Sequence, residues 1–174
     1  MNNLEHIENN RMKNYDMLLA CDRRLLQAAN ELFEVANTIS DLFSSSDDLI
    51  RISSLVFAKG VVQSRAIYSL ILDGYGQEAG ANLRNLIECV ELIEYLRLDP
   101  KRVDEIKRDK LPKAGAISKK IDGKFHELRK YLDKNACHFA FNYESLSHLV
   151  NINDEKLMIV QTNGEKVLRQ NIIS

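Results

Sequence analysis

Val61–Leu96, VVQSRAIYSLILDGYGQEAGANLRNLIECVELIEYL, decides the fold of this 174-residue chain. Apolar residues crowd both halves at three-and-four spacing. Between them, Asp73-Gly74-Tyr75-Gly76 supplies residues suited to positive φ and to ending a helix. The stretch predicts two helices, about Asp48–Leu72 and Gln77–Leu98, folded antiparallel because their connection is so short. The second carries Ala79, Leu83, Leu86, Ile87, Cys89, Val90, Leu92, Ile93 and Leu96, an arc broader than the stripe of a surface helix, and so belongs at the centre. No strand precedes Gly74-Tyr75-Gly76 and no third glycine follows at the needed interval, so it reads as a turn and not as a dinucleotide loop.

Upstream, Leu18, Leu25, Leu26, Ala29, Leu32, Phe33, Ala36, Ile39, Leu42 and Phe43 mark one face of a single amphipathic helix over about Tyr15–Phe43. Ser44–Asp47 breaks it and offers capping oxygens to the next helix. Downstream, Asp99-Pro100 stops one helix and starts a short polar one to about Lys110. After the Leu111–Gly115 loop, Ala116–Cys137 reads as a helix with Ile117, Ile121, Phe125, Leu128 and Leu132 inward, weakened early on by Gly123. Asn163-Gly164, between two β-prone runs in Lys156–Ile173, signals a type I′ hairpin. The chain stops at Ile172-Ile173-Ser174 without a helix-ending signal. The expected fold is mainly α: an antiparallel bundle of about five helices in one domain over 1–174, core 15–138, with a small C-terminal β-hairpin in 150–174.

Composition narrows the function classes. With 45% hydrophobic and 28% charged residues, the chain falls in the ordinary globular range. The N-terminus lacks a signal-peptide pattern, and Lys59, Gln63 and Arg65 interrupt the richest apolar run, so a cytoplasmic protein with no membrane span is expected. Cys21, Cys89 and Cys137 are odd in number and far apart, which argues against a disulfide framework or a zinc site. Nor is there a Glu-x-x-His pair, GxSxG, P-loop or HExxH, so neither a metal nor another cofactor is expected. Net charge is −1 but unevenly spread: −6 over residues 1–100, +6 over 101–134 and −1 over 135–174. The basic segment can be a solvated face laced with intrahelical pairs or a surface for a polyanion.

Two groups of residues could carry chemistry. Steps of 100° place Arg84, Glu88 and Glu91 in one strip about 60° wide on an otherwise apolar helix. Centring the turn at Tyr75 sets Arg65 level with Arg84, and Lys59 level with Glu91. The strip is either solvent-facing, with an Arg84–Glu88 pair, or an internal cluster with Arg65 or Lys59 as partner. In the second group, His138 follows a basic helix containing Arg129, Lys130 and Lys134. Cations there could stabilise phosphate charge while the imidazole moves a proton, or the histidine could simply favour the helix-end carbonyls.

With these residues in view, about Phe57–His148 resembles bacterial helical-bundle proteins related to HEPN (higher eukaryotes and prokaryotes nucleotide-binding) domains. The likeness rests on SRAIYSLILDGYGQEAGANLRNLIECVELIEYLRLDP, with its glycine turn, Arg-x-x-x-Glu helix and closing acidic-Pro, and on LRKYLDKNACHF, a late helix ending in histidine. The resemblance implies Arg84 and Glu88 facing inward toward His138 as the candidate catalytic set, and Arg129, Lys130 and Lys134 as phosphate contacts. It further implies a homodimer that binds RNA or a nucleotide in a phage-defence or toxin–antitoxin setting. HEPN ribonucleases place four to six residues between Arg and His, whereas eight separate Arg129 from His138 here. The absence of a complete catalytic motif, together with the long first helix, supports a different expectation, a non-enzymatic module docking a protein partner or a second copy.

Overall fold

The computed structural model describes residues 3–21, 23–137, 150–151 and 156–157. Seven α-helices account for most of them: α1 Asn3–Cys21, α2 Arg23–Ile39, α3 Asp48–Leu72, α4 Gly76–Leu98, α5 Val103–Lys107, α6 Ala114–Lys120 and α7 His126–Asn135. Short 3-10 turns at Ser40–Ser44 and Pro100–Arg102 precede α3 and α5. Two-residue strands β1 (Val150–Asn151) and β2 (Lys156–Leu157) pair antiparallel, with Val150 opposite Leu157. The turn expected at Asn163-Gly164 lies outside the described residues.

Local chemistry sets the ends of the central pair. Asp47 caps α3 by accepting from the amides of Leu49 (2.8 Å) and Ile50 (3.4 Å). At the other end, the Tyr75 amide donates to the Leu70 carbonyl and the Gly74 amide to the Ile71 carbonyl, a Schellman closure that requires the left-handed Gly74 at φ 90°. Asp99 caps the next turn through the Lys101 amide at 3.1 Å, with Pro100 in first position.

The α3–α4 hairpin is the hub. α1, α2 and the first 3-10 turn lie against α3, whereas α6 and α7 lie against α4, and α5 touches α3. The buried apolar set draws on every layer: Leu18, Val61, Ile71, Leu72, Ala79, Ile87, Cys89, Tyr95, Leu96, Val103, Ile117 and Leu132. By length and composition α3 also meets the requirement for crossing a membrane, a test that core helices pass as well.

Three expectations are revised. The helix expected over 15–43 is two helices and a 3-10 turn, and helical structure begins at Asn3. The N-terminal part has little apolar periodicity and docks by polar contacts instead. One Nη of Arg11 donates to both Asp73 carboxylate oxygens (2.8 and 2.9 Å) and the other to Ser69 Oγ, while buried Asn14 donates to the Leu72 carbonyl at 2.8 Å. The helix expected over 116–137 is divided into α6 and α7 by the turn 121–125, where Asp122 has φ 52°. Of its expected inward residues, Ile117 and Leu132 are buried, Ile121 and Leu128 are half-buried, and Phe125 is exposed.

Candidate functional site

The polar strip on α4 does face inward along part of its length, and its partners come from α6 and α7. Glu91 is the deepest member, its side chain 3% exposed. One of its oxygens pairs with Arg129 of α7, itself 8% exposed, and the other accepts from Ser118 Oγ of α6 at 2.7 Å. Nearer the surface, Glu88 pairs with Arg84 one turn earlier and lies 3.9 Å from the second Nη of Arg129. Arg84 Nε also donates to Asp133 Oδ1 of α7 at 2.8 Å.

Residues 84, 88 and 91 of α4 thus meet 129 and 133 of α7, each row one side of a helix at three- and four-residue spacing. Gly123 completes the enclosure. A Cβ there would stand 2.5 Å from Glu91 Oε1 and 2.5 Å from Ser118 Oγ, so a larger residue would force the Glu91–Ser118 hydrogen bond to shift.

Chemically the network is saturated. Both Glu91 oxygens are occupied and both guanidiniums have carboxylate partners, which is what burial demands of ionised groups. Such an arrangement holds α4, α6 and α7 in register. The anticipated partners of the strip are elsewhere: Arg65 stacks over the Phe33 ring of α2 at 4.8 Å, and Lys59 is exposed. Arg129, expected as a phosphate contact, is instead internal, and an incoming phosphate would have to displace Glu91 to reach it. Lys130 and Lys134 are exposed on α7, the former 3.1 Å from Glu127. His138, expected as the proton-transfer group beside Arg84 and Glu88, lies outside the described residues.

A second polar hub went unread in the sequence. Tyr95 is fully buried near the end of α4, and its hydroxyl donates to Glu105 Oε2 at 2.9 Å while accepting from Lys120 Nζ at 3.2 Å. Arg102 lies over the ring at 4.0 Å and donates to the Tyr95 carbonyl at 2.8 Å. One side chain of α4 thereby holds the second 3-10 turn, α5 and α6. A tyrosine in an apolar run gives no sign from sequence that it will gather three polar partners.

Comparison of the chain with family models, curated proteins and solved structures returns no match. The site therefore has to be judged on its own chemistry. Burial pushes the Cys89 thiol up, with Lys59 opposing weakly; burial and then the Asp133 carboxylate push Cys137 up. Raised thiols are poor nucleophiles near neutral pH. Among the described residues, no three His, Cys, Asp or Glu side chains gather closely enough to hold a metal ion.

Proposed function

We propose that this chain is an RNA-binding helical bundle whose contact surface is the outer side of the α5–α7 quarter, with Arg84, Glu88, Glu91 and Arg129 as its internal scaffold. The observation that carries the reading is a charge imbalance that folding leaves on the outside. Within residues 101–134, Arg102 is neutralised by Asp99, Lys107 by Asp48 of α3, Arg129 by Glu91, and Asp133 by Arg84 of α4. Nine cations and five acids remain, a net charge of +4. Five of those cations, Arg108, Lys110, Lys113, Lys119 and Lys134, are exposed with no ion-pair partner among the described residues. Phosphates along a polynucleotide are the natural complement to such a surface, and binding would release condensed counterions. This reading keeps the nucleic-acid expectation carried by the HEPN resemblance, and moves it from Arg129 to the lysines around α6 and α7.

Filter retention of total RNA by the purified protein tests it, with His138→Ala alongside. Salt-sensitive retention by both proteins, with the RNA intact, supports binding without cleavage. Degradation that disappears in His138→Ala would add a reaction to the binding. No retention by either protein at low salt removes the proposal.

A homodimer is the second reading, favoured by a specific observation. Val35, Leu42, Phe43, Ile50, Leu55 and Val62, from α2 to the middle of α3, are all exposed large apolar side chains. A second copy is the occupant we propose, since a two-fold axis lets one such patch cover itself. Light scattering across a dilution series separates a dimer from a strict monomer, and the monomer would contradict this reading.

A further inference from the structure

On α7, helical steps of 100° separate two faces. Arg129, Leu132 and Asn135 form the buried one, with half-buried Leu128 beside them. The opposite face carries His126, Glu127, Lys130, Tyr131 and Lys134, all exposed. Tyr131 is the anomaly in that set. Its side chain is large and apolar, yet it is 56% exposed, and its hydroxyl has no hydrogen-bond partner among the described residues. Among the described residues Tyr15, Phe43 and Phe125 are exposed aromatics as well, but Tyr131 is the most exposed of them and shares its helix face with two lysines. Leu132, the next residue, already supplies the buried contact of that turn.

We infer that Tyr131 is a stacking platform for an unpaired base, with Lys130 and Lys134 on the same helix face contacting neighbouring phosphates, so that α7 selects single-stranded over duplex nucleic acid. The inference rests on the RNA-binding reading above and adds the form of the strand. An exposed ring on one helix face with two ammonium groups complements what a single strand presents: a π-face at each base and phosphates along its backbone. A duplex hides its base faces in the stack, so it would meet the lysines alone. The carboxylate on this face, Glu127, lies 3.1 Å from Lys130 and so reduces the positive charge at the near end. Lys134 has no such neighbour and is the stronger phosphate contact.

Fluorescence anisotropy with labelled oligo-uridine, oligo-thymidine and a duplex of equal length tests the inference on the full chain, with melting curves confirming that each variant folds. Tyr131→Ala is expected to weaken both single strands by roughly 5- to 100-fold, the range for loss of one stacked base. Tyr131→Phe keeps the ring and should retain the affinity, and duplex binding should not change in either variant. If Tyr131→Ala binds single strands like the wild type while Lys134→Gln weakens them, the cationic surface stands and the stacking role falls. Equal affinity of the wild type for duplex and single strand would likewise overturn it. If the wild type binds none of the three probes at low salt, the RNA-binding reading fails and takes this one with it.

Discussion

Arg129 and Glu91 illustrate what a buried ion pair does in so small a domain. Each is internal, so either alone would be an uncompensated charge in a poorly solvated place. Arg129→Ala is therefore expected to destabilise the protein by about 3–5 kcal/mol, seen as a large drop in melting temperature. Replacing both partners together, as Glu91→Leu with Arg129→Met, should recover most of that loss, because no lone charge remains. A double variant as unstable as Arg129→Ala would show that the pair contributes more than mutual neutralisation. The strip of Arg84, Glu88 and Glu91 was legible from helical geometry. Its partner was not, because Arg129 belongs to another helix and spacing along α4 says nothing about what lies across from it. Gly123 was visible only as an oddity inside an expected helix, since its meaning depends on the Glu91 oxygen 2.5 Å from where a Cβ would stand.

Among elements, those bounded by local chemistry were the readable ones. The Asp47 cap, the Gly74 closure and Asp99-Pro100 all act within a few residues, so α3 and α4 fall where the sequence puts them. The first part of α1 was missed because an Arg11–Asp73 clasp, not an apolar stripe, ties it to the end of α3, while Met17 and Leu18 supply the apolar contacts further along. α5 is secured in a similar way. Lys107 Nζ lies 2.5 Å from Asp48 Oδ2, and this hydrogen bond is the main reason the Asp48 carboxyl is held below its ordinary value and the Lys107 ammonium above its own. A lowered carboxylate adds stability that is present above its unfolded value, near 3.8, and is lost as pH falls through the lower folded value. The raised ammonium adds stability that is present below its unfolded value, near 10.5, and fades as pH rises through the higher folded one. Melting temperatures of wild type and Asp48→Asn should therefore differ most between these limits and converge in strong acid. A gap independent of pH would mean that the pair does not link α3 to α5 in solution.

For the molecule as a whole, the hairpin of α3 and α4 separates two surfaces of different character. One side, from α2 into α3, exposes large apolar residues, and the other, around α5–α7, exposes cations. The excess of charge in residues 101–134 could be counted from the sequence, but which cations remain on the outside could not. Folding withdraws Arg129 into the interior and pairs Lys107 across to α3, and both facts depend on contacts far apart along the chain. On the reading proposed above, the remaining cations bind RNA while the inward network only supports them. The most direct test of that reading is the affinity for a labelled single-stranded RNA measured against salt concentration, for the wild type and for a Lys110→Gln, Lys113→Gln, Lys119→Gln variant. At about 0.7 counterions per phosphate contact, the log–log slope should be clearly negative in the wild type and shallower by roughly 2 in the variant. A wild-type affinity indifferent to salt, or a slope that the three substitutions leave unchanged, would contradict the account.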